Sequence, residues 1–244
     1  MNYALPPVGG DVPGPQAPPD LPPDVPGLPP DLLVDVPFQL DVLPDGREAV
    51  VFGDVAGLAD LNHKQGDNPY GFEGTCGLCS CQDILNQFGV EVTEADVVRH
   101  AVANGECYVS DDPAASGGTT EDGQAQILGD YGLPAHVEHG SSLEDLAMDI
   151  EQGRGVIIEA NAGVLWNDAA YYENGQANHA VVVTGVARDP MTGAVEGFFI
   201  NDSGTGESAK YVDAATMGVA WLDAGATSVV TDAVRPQTLS GSIR

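Results

Sequence analysis

Thirteen of the eighteen prolines lie in the first 45 residues, and this uneven distribution decides where a fold can begin. The same residues, 1–45, hold seven aspartates and no basic residue, and Pro-Pro-Asp recurs through PPDLPPDVPGLPPDLLVDVP. Proline removes backbone donors and favours extended polyproline II, and repelling carboxylates stretch such a segment further. Residues 1–45 are therefore expected to form a disordered acidic Pro-rich arm. Its simplest role is a spacer; the alternative is docking to a proline-recognising partner. The globular part is expected over 46–236, with 237–244 as a flexible tail.

Eight Lys and Arg stand against 37 Asp and Glu, a net charge of −29. Such a field repels phosphate backbones and anionic bilayer surfaces, which argues against nucleic-acid and membrane partners. No apolar run approaches the roughly 20 residues of a membrane helix. The opening MNYALPPVGG has neither a basic start nor a continuous apolar stretch. The expectation is a soluble protein, cytoplasmic or exported without a classical signal peptide. Cys76, Cys79, Cys81 and Cys107 are too few to staple a chain of 244 residues, and three of them crowd into six positions.

Past the arm, AVVFGD (49–54) reads as a short strand. Residues 77–88 read as a helix with Cys81, Ile84, Leu85 and Phe88 on one face and Gly89 as its stop. Thr93 with Asp96 opens a second helix, with Ala95, Val98 and Val102 sharing a face and Gly105 ending it. A loop over 108–118 leads to Thr120, which caps a third helix carrying Ile127, Leu128 and Tyr131. Ser142 with Asp145 opens a fourth, with Leu143, Leu146, Ala147 and Ile150 on one face. The texture then turns to β-branched runs: GVIIEA (155–160), NHAVVVTGVA (178–187), VEGFFIND (195–202) and SVVT near the end. DPMTG (189–193) supplies turn chemistry, so 178–202 is expected to be a hairpin. Helices first and antiparallel strands later indicate an α+β fold, with N-terminal helices packed on a C-terminal antiparallel sheet.

Cys76 sits in GTCGLCSCQDIL just where the first long helix should begin. The partial positive charge at a helix N-terminus stabilises a thiolate, and a nucleophilic cysteine also needs a base with an orienter. His179 opens an otherwise apolar strand and is the natural base. The hairpin turn brings Asp202, at the far end of the returning strand, near His179, where it can fix the tautomer. Asn201 adjoins Asp202, but strand alternation turns it to the opposite face.

The run CGLCSCQDILNQFGV resembles the nucleophile helix of bacterial peptidase C39-like domains, which have a papain-like fold. There a Cys-Gly opens a small-residue helix and a Gly follows thirteen positions on, as Cys76 and Gly89 do here. Further similar segments follow in order: GGTT (117–120), YGLPAHV (131–137), SLEDLAMDIEQGRGVII (142–158), NHAVVVTGV (178–186), FFINDSG (198–204) and YVDAATMGVAW through SVVTD. Together they span roughly 49–233.

The resemblance implies Cys76 as nucleophile, His179 as general base and acid, and Asp202 as orienter. It also implies a Gln upstream of the nucleophile that helps bind the oxyanion. Gln65 matches that element eleven residues before Cys76, with an inserted turn at Asn68–Gly74 taking up the extra length. Asn68 is the next candidate, and His63 reads as structural. A papain-style alignment of CGLC selects Cys79 instead; the helix start favours Cys76. Cys76, Cys79 and Cys81 could also join Cys107 and His100 around zinc, but paired C-x2-C knuckles are absent and the segment continues as a helix. The reading is a cysteine hydrolase, a peptidase acting on peptide or protein substrates without a cofactor. A transglutaminase-like acyl transferase and a non-catalytic binding module on the same scaffold are the alternatives.

Overall fold

The computed structural model describes residues 38–235. Eight strands form one antiparallel sheet: β1 (Phe38–Val42), β2 (Glu48–Phe52), β3 (Ala135–His139), β4 (Arg154–Ala160), β5 (His179–Arg188), β6 (Val195–Asp202), β7 (Glu207–Asp213) and β8 (Thr227–Val234). The helices are α1 (Val55–Ala59), α2 (Cys76–Gln87), α3 (Glu94–Asn104), α4 (Glu121–Asp130), α5 (Leu143–Glu151), α6 (Ala162–Leu165) and α7 (Ala214–Met217).

Strand β5 organises the sheet. It pairs with β4 from His179 to Val183, with β2 from Val186 to Arg188, and with β6 from Val182 onward. All ten of its residues are buried. A strand covered on both faces reads as a continuous apolar run, which explains AVVV after His179. Alternation sends Ala180 and Val182, with Ile157 of β4 and Val229 of β8, to a core filled by Leu78, Ile84 and Leu85 of α2 and Ile127 and Leu128 of α4. Val181 and Val183 face the other way, onto Phe198, Ile200, Trp221 and Leu146, Ala147 and Ile150 of α5. Helices therefore cover both faces of the sheet.

The helix boundaries follow local chemistry. Thr93–Asp96 and Ser142–Asp145 both form complete capping boxes, and the Thr120 hydroxyl accepts from Gly123 N–H. Gly89 and Gly105 adopt φ of +80° and +73°, the left-handed turn that ends α2 and α3. On α3 the fully buried stripe is Val97, Val98 and Ala101, with Ala95 and Val102 half-buried beside it, so the expected face is rotated by about one residue.

Three strands escape a periodicity reading. AHVEH (β3) and ESAKYVD (β7) are sheet edges with few buried side chains. FQLDV (β1) is exposed along its whole length. That last strand corrects the expected arm boundary: residues 38–42 pair with β2 from Phe38↔Phe52 to Val42↔Glu48, so the fold begins before residue 46 and the sheet draws strands from both ends of the domain. The rest of the expected arm, 1–37, and the tail expected over 237–244 lie outside the described residues. Among the described residues no helix is long and apolar enough to cross a membrane.

One buried ion pair ties α5 to the end of β5. Arg188 donates from Nε to Glu151 and at 2.6 Å from a terminal nitrogen to Glu144, while its other terminal nitrogen reaches Gly193 O at 2.9 Å. Arg188 and Glu151 are 4% and 2% exposed, so removing Arg188 leaves Glu151 a buried carboxylate without its cation. Arg188→Ala is expected to cost roughly 3–5 kcal/mol in urea denaturation. An Arg188→Met, Glu151→Leu double replacement should recover most of that loss, because no unpaired charge is left behind.

Candidate active site

Helix α2 starts at Cys76, and of its first ten residues only Cys76 is not fully buried. Thr75, at the N-cap, does not cap it: its hydroxyl donates instead to Glu94 Oε1 at 2.8 Å. The leading N–H groups of the helix are thereby left free to meet an anion. Gly77 follows because a Cβ there would come within 2.6 Å of Thr119 Cγ2 and 2.8 Å of Gln124 Nε2. The Cys-Gly pair thus marks the close approach of α2 to the loop that leads into α4.

The segment before Cys76 is folded around one carboxylate. Glu94, 3% exposed, accepts from Gly66 N at 3.0 Å, Asp67 N at 2.9 Å, Asn68 Nδ2 at 3.0 Å and Thr75 Oγ1, and pairs with His63 Nε2 at 2.9 Å. Burial alone would push its carboxyl up, but hydrogen bonds from His63, Thr75, Asn68 and Gly66 outweigh that and hold it at about 2. Sequence reasoning missed Glu94, because an acidic residue in the first turn of a helix ordinarily serves the helix dipole from the surface.

His179 opens β5, and hydrogen bonding and charge from the Cys76 thiol, after those from Asp202, favour its imidazolium. His179 Nε2 is bonded to Asp202 Oδ1 at 2.8 Å, which leaves Nδ1 as the nitrogen free for the thiol. The strand register explains the meeting. Val182 pairs with Asn201, so Gly204 falls opposite His179 and Asp202 lies two residues away on the same face. A Cβ on Gly204 would come within 2.9 Å of His179 Cε1 and 2.7 Å of Trp166 Cζ2, so only glycine fits there.

Asp202 has no exposed surface and its acceptors are filled. Oδ1 takes His179 and Gly204 N (2.9 Å), and Oδ2 takes Trp166 Nε1 at 2.7 Å. Burial disfavours the carboxylate, but the bond to His179 and the other donors win and hold it below its ordinary range. Burial likewise disfavours the imidazolium, yet hydrogen bonding to Asp202 and Cys76 pushes His179 up to about 9. Trp166 also packs edge-on against the imidazole, with ring centroids 5.0 Å apart, and covers the His179–Asp202 bond. Trp166 is the second residue missed from sequence; its one signal is an indole N–H on a half-buried ring, which needs an acceptor.

The other candidates sort by their hydrogen bonds. Gln65 is tied to the neighbour of Asp202, with its N–H on Ser203 O at 2.9 Å and its Oε1 accepting from Ser203 Oγ at 3.2 Å. Its amide donates one hydrogen to Glu73 O and keeps a second. Asn68 has none to spare: its amide donates to both Phe72 O and Glu94 Oε1. Asn201 turns away from the site, to Leu58 O and Asp83 Oδ2. His63 is held by Glu94 through its Nε2.

All four cysteines are free thiols. Cys79 is 2% exposed, and burial pushes its thiol strongly upward, with Glu94 adding to the effect. Cys81 is fully buried, sits against Gln124 O at 3.7 Å and is pushed up the same way. His100 is bonded to Asp130 at 3.0 Å, on the far end of α3, so the zinc grouping weighed from the sequence is dispersed. Iodoacetamide at neutral pH is therefore expected to label Cys76 first, with Cys79 and Cys81 last, as read by peptide mapping. Faster labelling of Cys79 would move the nucleophile.

A profile of the Peptidase_C39 like family matches residues 55–229, the span from α1 into β8. No curated protein matches the chain. Among solved structures, one presented as a candidate C39-like peptidase from Bacillus anthracis is similar in fold, at a TM-score of 0.53 and 18% identity. The alignment covers 73% of this chain and 98% of that one. With α1 to β8 matched in order, the chain belongs to the Peptidase C39-like family.

Proposed function

We propose that this protein is a cysteine peptidase that cleaves amide bonds through Cys76, His179 and Asp202 by way of an acyl-enzyme. The observation that carries the reading is a buried imidazole held at 2.8 Å by a fully buried carboxylate, with a half-buried thiol at a helix N-terminus whose charge raises that imidazole. That is the nucleophile, base and orienter arrangement.

The steps follow from the groups present. The Cys76 thiolate attacks the scissile carbonyl. The oxyanion meets the Cys76 backbone N–H and the second amide hydrogen of Gln65, both preorganised by Glu94 and Ser203. His179, held as imidazolium by Asp202, gives its Nδ1 proton to the leaving amine. It then takes a proton from water as that water attacks the thioester, which frees Cys76. The substrate is a peptide or protein, since every group at the site serves acyl transfer from an amide and the reaction needs no cofactor. A comparison of peptides released from a proteome by the wild-type chain and by Cys76→Ala tests the reading directly. Transfer to added amines in place of water would redirect it to an acyl transferase.

Asp202 and Gln65 are expected to fail in different ways. Asp202→Asn removes the charge that steadies the imidazolium, so turnover should drop on the order of 10⁴-fold and alkylation of Cys76 should slow as well. Gln65→Ala removes only an oxyanion donor. Turnover should fall on the order of 100-fold, about 3 kcal/mol, while alkylation, which forms no oxyanion, stays near wild type. Unchanged turnover in Gln65→Ala would take that residue out of the site.

The pH profile carries a further test. His179 is raised above its ordinary 6.5, so its proton is retained through neutral pH and is lost as pH rises through about 9. The alkaline limb of kcat/KM should therefore fall near pH 9. In Asp202→Asn the limb should move to lower pH, because burial is then less opposed. A limb that ignores Asp202 would detach His179 from proton transfer.

A further inference from the structure

A second cluster lies on α2, one turn beyond Cys76, where Cys79 meets the loop at His63. The side-chain ligand atoms of His63, Cys79 and Glu94 all lie within 4.8 Å of one another. His63 Nε2 is 2.9 Å from Glu94 Oε2 and 3.8 Å from Cys79 Sγ. Around a tetrahedral zinc-type ion those separations would be about 3.3 and about 3.6 Å, from bonds of roughly 2.0 Å to N or O and 2.3 Å to S. These two pairs need to shift by only a few tenths of an ångström, and Cys79 Sγ lies within 4.8 Å of Glu94.

Two independent observations point to a ligand here. His63 and Glu94 line a surface cavity of about 310 Å³ together with Asp67 and Gln82, which provides an entry path. Gln82, 6% exposed and three residues along α2 from Cys79 on the same face, lines that cavity and has a buried Oε1 without a partner. A buried, unpartnered acceptor thus lines the same cavity as the imidazole and the carboxylate.

We propose that His63 Nε2, Cys79 Sγ and Glu94 Oε2 bind a divalent transition-metal ion of the zinc type, with Gln82 Oε1 or a water from the cavity in the fourth position. Mixed S, N and O donors suit such an ion better than calcium or magnesium, which take oxygen alone. The thiolate and carboxylate together neutralise its two charges. On binding, Cys79 gives up its thiol proton to solvent, and the Nε2 proton of His63 leaves or moves to Nδ1. No electron is transferred. Glu94 Oε1 keeps its bonds to Thr75 and Asn68, which orient the ligand from behind.

The site shares Glu94 with the approach to Cys76, so its test reads metal binding rather than activity. The full chain, reduced and freed of metal with a chelator, is titrated with Co²⁺. Visible d–d bands and a near-ultraviolet thiolate-to-cobalt band should saturate at one equivalent and disappear when Zn²⁺ is added. Cys76→Ala should keep both bands and Cys79→Ser should lose the thiolate band. His63→Gln, which changes a loop residue and leaves α2 and α3 intact in sequence, should weaken binding at least 10-fold, and circular dichroism confirms that each variant is folded. Absence of a thiolate band with excess Co²⁺, or a band lost in Cys76→Ala and kept in His63→Gln, would overturn the proposal.

Discussion

Burial of β5 on both faces is the constraint on which the rest of the molecule depends. A strand with no exposed side chain must be covered by helices on each side and by strands on each edge. Helix α2 meets one face and α5 the other, while β4, β2 and β6 take the edges. The first residue of that strand is His179, so the imidazole sits where the sheet ends and the N-terminus of α2 begins. Its position is set by packing along ten residues rather than by local loop geometry, which gives a rigid support for chemistry.

Polar groups around the site are buried but satisfied. Glu94 and Asp202 are both nearly inaccessible, and both lie below the ordinary carboxylate range because their hydrogen-bond donors outweigh desolvation. They hold different parts. Asp202 fixes a ring; Glu94 fixes the chain from His63 to Thr75, and with it the approach to Cys76. Gln65 lies between the two, bonded to Ser203 on one side and Glu73 on the other. The segment from Gln65 to Cys76 is therefore an ordered loop wound about Glu94. The same winding brings His63 to Cys79, so the loop that orders one site also assembles the other cluster.

Elements with strong periodicity or reciprocal caps were legible in the sequence. α2, α3, α4 and α5, the β5–β6 hairpin and β4 all follow from apolar spacing, Thr and Ser caps, and β-branched runs. Edge strands were not. β1, β3 and β7 bury too little to carry an apolar alternation, and their pairing is decided by what the neighbouring strand leaves unbonded. Proline density also masked β1, since FQLDV follows directly on the Pro-rich stretch.

The sequence by itself determined the helix starts, the strand core and the chemical candidates: a cysteine at a helix N-terminus, a histidine opening an apolar strand, and an aspartate closing the paired strand. Those depend on spacing within a few residues, where backbone geometry is local. Tertiary structure alone decided which candidates share a space and which hydrogens remain free. In it Gln65 keeps a side-chain amide hydrogen while Asn68 has spent both of its own, and Cys79 is buried while Cys76 is half-buried. It also brought in Trp166 and Glu94, whose partners lie 36 and 31 residues away. Such contacts arise from the closing of the whole chain on β5, and no local pattern encodes them.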